Sequence, residues 1–256
     1  LGSALATGAN APAGLRILFL GDTGHHRPAD CFKQLQPVLG QRRIEIEYTE
    51  SLADLNSAKL AGYDGLLIFA NHTQILPGQE KALLDFVEAG GGLVPLHCAS
   101  YCFLNSPKYI ALVGAQFQRH GAGVFQETIV NSDHPVMKGL SAIESWDETY
   151  VHTKHNTDRV VLAERRDDRS AEPYTWVRTS GKGRVFYTAW GHDQRTWSNP
   201  GFHALLENGL RWASATRRTM RASSVSAPTF SARMMSVPVP LSVAPATRSP
   251  GRFSAG

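Results

Sequence analysis

The stretch Gly90–Ser100, GGGLVPLHCAS, contains the junction between two predicted elements of secondary structure. Its three glycines end a helix that we predict from Pro77 to about Ala89, because proline favours the first turn of a helix and glycine its C-terminal end. Leu93–Leu96 then forms a short apolar strand that stops at His97. In an open α/β sheet ligands bind beyond the carboxyl ends of the strands. The sequence therefore indicates His97 as a candidate functional residue.

The same alternation of strand and helix extends to both sides of this stretch. Short apolar runs predict buried strands, and the amphipathic segments between them predict helices. The predicted strands are Leu15–Gly21, Ile44–Thr49, Gly65–Phe69, Leu93–Leu96, Gln126–Val130, Val160–Glu164, Tyr174–Val177 and Arg184–Ala189; the helices are Ala29–Leu39, Pro77–Ala89 and Pro200–Ala213, with an irregular or helical stretch at Leu52–Leu60. This order predicts an α/β fold: one doubly wound, mostly parallel sheet with helices on both faces, in a single domain.

Composition divides the chain into three segments. Residues 1–14 are small and predicted to be flexible, residues 15–214 carry the α/β pattern, and residues 215–256 form a predicted disordered tail rich in Ser, Pro and Arg. The triplet Ala9–Ala11 is similar to the end of a secretory signal. We expect a periplasmic or secreted location if residues 1–14 are the remnant of such a signal, and a cytoplasmic one otherwise.

Charge and hydropathy exclude several classes of function. The formal net charge is +4, but six arginines follow Thr216 without any acidic residue, so the preceding residues carry −2. Such a body lacks the basic face of a nucleic-acid-binding protein. We also find no apolar run long enough to span a membrane. The three cysteines form neither an even disulfide framework nor a paired zinc motif, and we interpret them as free thiols.

Histidines and other polar residues follow four of the predicted strands. They are His25 and His26 after the first strand, Asn71 and His72 after the third, His97 after the fourth, and His192 with Asp193 after the last. The carboxyl ends of parallel strands meet at one edge of a sheet. We therefore predict a site there with His97 and His192 as its catalytic residues. In the His25–His26 pair we expect one member to turn away, and we assign His25 to the site.

A set of longer motifs resembles the trehalose-utilisation (ThuA-like) domains. They are GDTGHHRP, YDGLLIF, LPGQEKALLDFVEAGGGLVPLHCAS, the FQRHG turn, SDHPVMKGL, WDETY, PYTWVR, GKGRVFYTAWGHD and NPGFHALLENGLRWA. The resemblance runs from about Leu15 to Ala213. It implies a flavodoxin-like, class I glutamine-amidotransferase-like fold.

The same resemblance shows what this chain lacks. Glutamine amidotransferases place a catalytic Cys in a G-x-C-x-G elbow and follow it with a late His and Glu two residues apart. Here His97 occupies the elbow and Cys98 comes one residue late, while His192 is followed two residues later by Gln194. A glutaminase triad is therefore absent. Relatives usually carry glycine where this chain has Pro95, which removes a backbone donor at the strand end.

The resemblance implies carbohydrate catabolism, on trehalose-type disaccharides or their 3-keto derivatives. The α-protons of a 3-keto sugar are acidic enough for a base such as His97 or His192 to start isomerisation or elimination. Alternatively, His25, His97 and His192, with Glu148 or His120 beside them, hold a divalent metal that polarises the carbonyl. We expect no nucleotide cofactor. The enzyme class stays open among hydrolase, lyase and isomerase.

We predict that further side chains bind a small carbohydrate. Aromatic faces stack on sugar C–H surfaces, and carboxylates and amides bind hydroxyl groups. The predicted substrate-binding residues are His25, Asn71, Glu148, Tyr150, Trp190, Asp193 and Trp197. Asp147 and Glu148 are adjacent on a strand, so only one can face the ligand. A sugar-binding module without turnover, a hydrolase that uses Cys98 and a homo-oligomeric assembly all stay open.

Overall fold

The computed structural model describes residues 14–168 and 170–226, which include a central sheet of eight strands. The strands are β1 (Leu15–Leu20), β2 (Ile44–Thr49), β3 (Gly65–Ile68), β4 (Gly92–Pro95), β5 (Gln116–Gln126), β6 (Thr128–Ile129), β7 (Glu144–Thr153), β8 (Val160–Arg166), β9 (Ala171–Ser180) and β10 (Gly183–Thr188). The helices are α1 (Pro28–Gln41), α2 (Ser57–Leu60), α3 (Pro77–Glu88), α4 (Pro107–Val113), α5 (Gln194–Trp197) and α6 (Pro200–Ser226), with short 3-10 turns at Leu52–Asp54 and His97–Tyr101.

The sheet order, β2-β1-β3-β4-β10-β9-β8-β6, confirms the predicted α/β fold. The first five strands are parallel and the last three are added antiparallel. The chain moves in one direction from β1 to β2 and in the opposite direction from β2 to β3 and β4. Right-handed crossovers in opposite directions place α1 and α3 on opposite faces of the sheet. The order reverses at β1, so ligands are expected beyond the carboxyl end of β1 and its neighbours.

Fully buried apolar residues explain why the central strands form. The side chains of β3 and β4 are buried on both faces, as expected for parallel strands covered by helices. Gly92 in β4 allows α6 to lie directly against the sheet, because a Cβ there would stand 2.7 Å from the backbone carbon of Ala213. Close packing of α6 thus explains a glycine at this position.

A separate two-stranded ribbon of β5 and β7 is the main difference from the predicted elements. The FQRHG motif, which we predicted as a turn, lies inside β5, where it pairs antiparallel with the strand that contains WDETY. The ring of Tyr150 in β7 stacks on His97 at 4.2 Å between centroids. The ribbon therefore lies over the carboxyl end of β4 and adds its own side chains to that edge of the sheet.

Helix α6 continues twelve residues beyond the predicted domain end at 214 and reaches Ser226. Arg217 Nε donates to the carbonyl of Tyr63 at 2.9 Å, and Arg221 Nη2 lies 2.7 Å from the buried Asp64 carboxylate. These contacts anchor a segment whose composition alone predicted disorder. The rest of the predicted tail and residues 1–13 lie outside the described residues. Within the described part of the chain, no helix is long and apolar enough to cross a membrane.

Candidate functional site

Four side chains converge at the carboxyl edge of the sheet. His26 follows β1, His97 follows β4, His192 follows β10, and Glu148 projects from β7. One nitrogen of each histidine and one carboxylate oxygen of Glu148 lie within 4.8 Å of one another. Three strand ends and the ribbon thus meet in one cluster, which we call the His26–His97–Glu148–His192 cluster.

A strained backbone presents His97 to the cluster. Its φ is +45°, in the left-handed region that non-glycine residues rarely adopt. The Nδ1 atom donates to the carbonyl of Ala189 at 2.7 Å, because a carbonyl oxygen can only accept. In the neutral ring this leaves a lone pair on Nε2, which faces Glu148 Oε2 at 3.3 Å. The side chain is fully buried.

Glu148 is the acidic centre of the site. Its Oε1 lies 3.2 Å from His192 Nδ1 and 3.4 Å from His120 Nδ1, on the other side of the carboxylate from His97. Burial alone would raise the pKa of Glu148, but the contact with His97 and the charges of His192 and His120 outweigh it and lower that pKa. The carboxylate is therefore ionised at neutral pH.

Burial acts against protonation of two histidines beside this carboxylate, His26 and His192. Burial, followed by the neighbouring imidazoles, lowers the pKa of His26 to about 2. Burial also lowers the pKa of His192, although Glu148 acts in the opposite direction. Among the described residues, His26 Nε2, His97 Nε2 and His192 Nδ1 are buried without a hydrogen-bond partner. Unpaired buried polar atoms are uncommon in native proteins and call for a functional explanation.

Asp147 holds the backbone around the cluster and does not reach the cleft. Its fully buried carboxylate accepts the backbone N–H groups of Glu148 at 2.7 Å, His192 at 3.1 Å and Gly191 at 3.2 Å. It thereby joins the ribbon to the loop after β10. Of the two adjacent acids, Glu148 faces the ligand side.

A cleft of about 190 Å³ opens above the cluster. It is lined by His25, His26, Asn71, Tyr101, Phe117, His120, Glu148 and Tyr150. Tyr101, Phe117 and Tyr150 form an aromatic wall, with centroid distances of 5.7 Å between the first two rings and 4.5 Å between the last two. Tyr150 was among the predicted substrate-binding residues, whereas Tyr101 and Phe117 were not; the ribbon that carries Phe117 was not predicted.

Three of the predicted substrate-binding residues have structural roles instead. Trp190 is fully buried, stacks on Phe125 and donates from Nε1 to Glu127 at 2.8 Å. Trp197 is also fully buried and donates to the carbonyl of Gly191 at 2.7 Å. Asp193 caps α5 by accepting the Arg195 N–H. None of these three side chains lines the cleft, because the two tryptophans pack in the core and Asp193 caps a helix.

The structure changes the predicted metal-ligand set at one position and separates two alternatives at another. His25 is exposed, with its ring centroid 4.0 Å from that of His26, and His26 is the member of the pair that enters the cluster. His120 stays at the rim, where its side chain is 41% exposed. Of the alternatives Glu148 and His120, the cluster therefore contains Glu148, which we also assigned to substrate binding. Adjacent histidines carry the same sequence signal, so only the backbone path decides between them.

The cysteines do not have the environment of a nucleophile. Cys98 is buried, and this burial raises its thiol pKa well above the ordinary value. Burial likewise raises the pKa of Cys31 to about 12. A reactive cysteine needs an accessible, low-pKa thiolate. These observations argue against a hydrolase that uses Cys98.

Comparison with known proteins places the chain in a family. The sequence model of the ThuA family, described as trehalose utilisation, matches residues 16–213. No curated protein matches the chain. A ThuA-like protein from Bacteroides uniformis has a similar structure, with a TM-score of 0.68, 20% identity, and coverage of 82% of this chain and 95% of that one. A second, from Parabacteroides merdae, gives a TM-score of 0.67 and 18% identity, with coverage of 78% and 90%.

A β-galactosidase from Bacillus circulans contains a similar fold in 31% of its chain, which matches 81% of this one at 15% identity and a TM-score of 0.55. Identities this low indicate a shared fold and no more. The family match is stronger evidence, because it covers most of the chain from β1 into α6. The chain therefore belongs to the ThuA, or trehalose-utilisation, family.

Proposed function

We propose that this protein acts on a small carbohydrate of the trehalose type, or on its 3-keto derivative, in the cleft above the His26–His97–Glu148–His192 cluster. The observation that supports this is the juxtaposition of an aromatic wall with buried, unpaired histidine nitrogens. The wall suits the C–H face of a sugar ring, and the nitrogens suit proton transfer or carbonyl polarisation. The family description, trehalose utilisation, agrees with this substrate class.

The size of the cleft favours one sugar ring at a time. Pockets for larger small-molecule ligands measure about 300–1,000 Å³, whereas this cleft measures about 190 Å³. The second ring of a disaccharide would then lie outside, beyond the exposed His25 and Tyr101. We propose that the oxidised ring enters the cleft and the other ring is the leaving group.

A histidine that lines the cleft starts the reaction. It takes the proton from the carbon beside the keto group, and the electron pair forms an enolate. Collapse of the enolate forms a carbon–carbon double bond and breaks the glycosidic C–O bond on the next carbon, and the leaving oxygen takes up a proton. No oxidant is consumed. His120 is the favoured base, because it lines the cleft and its side chain is 41% exposed to an incoming substrate, whereas His97 and His192 do not line the cleft.

Turnover of 3-keto-trehalose and of trehalose by the full chain tests this proposal. We expect turnover of the keto sugar, and a loss of at least about 100-fold in His120→Gln, which is the range for removing a general base. His155→Gln is the matched control, because His155 is exposed and outside the cleft. Binding of either sugar without turnover would favour a non-catalytic sugar-binding module, and neither binding nor turnover would refute the proposal.

A further inference from the structure

The cluster brings a carboxylate close to three histidine nitrogens that are buried without a hydrogen-bond partner. The Nδ1 atom of His97 is engaged by the carbonyl of Ala189, so its Nε2 is the atom that faces a Glu148 oxygen, 3.3 Å away. A nitrogen lone pair and a carboxylate oxygen at this distance repel each other unless a proton or a metal ion lies between them. His192 Nδ1 faces the other Glu148 oxygen at 3.2 Å, again without a hydrogen bond.

From this geometry we infer that His26, His97, Glu148 and His192 bind one divalent transition-metal ion of the Zn²⁺ class. A single ion bonded to Nε2 of His26, Nε2 of His97, Nδ1 of His192 and one oxygen of Glu148 would satisfy all the unpaired atoms of the cluster. The inference uses the site of the proposed function but does not depend on the identity of the substrate.

The donor set fits this class of metal. Three imidazoles and one carboxylate suit Zn²⁺ and related first-row ions, whereas Ca²⁺ and Mg²⁺ prefer oxygen ligands. Zinc bonds of 2.0–2.1 Å in a tetrahedron place neighbouring ligand atoms about 3.3 Å apart. Glu148 Oε2 lies 3.3 Å from His97 Nε2, and the other oxygen, Oε1, lies 3.2 Å from His192 Nδ1. One ligand atom from each of the four residues lies within 4.8 Å of the others, so a modest contraction of the cluster brings them to tetrahedral spacing.

Two of the three histidines also have the supporting ring contact that metal ligands usually have. A ligating histidine typically donates its other ring N–H to a carbonyl or carboxylate, as His97 does to Ala189. The side-chain amide of Asn71 lies 3.3 Å from His26 Nδ1, and its Oδ1 is buried without a partner. Turning this amide by 180° pairs Oδ1 with an Nδ1–H and leaves Nε2 of His26 free for the metal. For His192 the supporting contact is made by the backbone, whose N–H donates to Asp147 Oδ1.

Metal content and reconstitution of the full chain test the inference. We expect about one ion per chain after dialysis of the apoprotein against Zn²⁺ or Co²⁺ and removal of the excess. Saturating Zn²⁺ should raise the melting temperature by about 5 °C or more, since a ligand that binds only the native state stabilises it. With Co²⁺, visible absorption of the ion provides a readout of its ligands that is independent of turnover.

Substitutions at neighbouring histidines make the test specific. His26→Gln and Glu148→Gln should weaken Co²⁺ binding at least about 100-fold, whereas His25→Gln and the exposed His155→Gln should retain one ion per chain. Glu148→Gln preserves the size of the side chain, and circular dichroism of each apoprotein checks that it folds.

The outcomes separate this inference from the proposed function. Metal binding without turnover of any sugar would refute the proposed function but support the metal site. Sugar turnover by protein that binds no ion, or equal Co²⁺ binding by His26→Gln and wild type, would overturn the metal site.

Discussion

Replacing Asp147 by asparagine should destabilise the protein strongly, although the change is nearly isosteric. The buried carboxylate accepts three backbone N–H groups, from Glu148 and His192 at Oδ1 and from Gly191 at Oδ2. Asparagine keeps one acceptor oxygen. If that oxygen retains the first two bonds, the new NH₂ group faces the N–H of Gly191, and a buried donor is left unpaired.

The expected loss follows from these three bonds. A hydrogen bond to a charged group contributes about 1.5–3 kcal/mol, and an unsatisfied buried donor costs about 1–3 kcal/mol. Loss of one bond and weakening of two others should lower the free energy of unfolding by about 2–4 kcal/mol. The backbone at His192 also loses its anchor, so metal affinity should fall about 10- to 100-fold, as for other supporting contacts.

Urea denaturation of metal-free protein measures this loss, and Asp193→Asn is its control. Asp193 carries the same charge but caps α5 at the surface, where asparagine caps equally well. The control should lie within about 1 kcal/mol of wild type. If Asp147→Asn also unfolds within about 0.5 kcal/mol of wild type, the argument that this carboxylate joins the ribbon to the loop after β10 is refuted.

Three further predictions concern residues near this edge. Burial lowers the pKa of His152 in the folded protein, so as the pH falls the unfolded chain binds a proton at this residue before the folded protein does. The contribution of neutral His152 to the free energy of unfolding is therefore full above about pH 6.5 and declines below it. His152→Gln should lose less stability than wild type between pH 7.5 and 5.5, and equal losses in the two proteins would contradict this. Gly191→Ala should lower the free energy of unfolding, measured by urea denaturation, by about 1–3 kcal/mol. The reason is that φ of Gly191 is +136° and the new Cβ would lie 3.3 Å from the Cβ of His97. Gly123→Ala is the control, because a Cβ there meets no atom within 4 Å. Iodoacetamide at pH 7 should leave Cys98 unlabelled in the native protein and label it after unfolding, as mass spectrometry would reveal; rapid native labelling would restore the thiol as a candidate nucleophile.

Much of the fold was predictable because its signals are local. Apolar runs such as Leu93–Leu96 and the glycines that precede them indicate where buried strands begin and end, and the structure places β4 at Gly92–Pro95. The histidine after each strand was predictable for the same reason, since parallel strands bring their carboxyl ends to one edge. The β5–β7 ribbon was not, because its largely exposed β5 lacks a continuous apolar run.

The sequence by itself determined that His97 and His192 follow strands of one α/β sheet and lie at the same edge, because strand periodicity and chain direction are local properties. Only the tertiary structure decided that His26 and not His25 joins them, since adjacent residues differ only in the direction that the backbone gives their side chains. It also placed Glu148 between the histidines and turned Trp190 and Trp197 into the core. Those outcomes depend on packing between segments far apart in the chain, which a local pattern of residues does not encode.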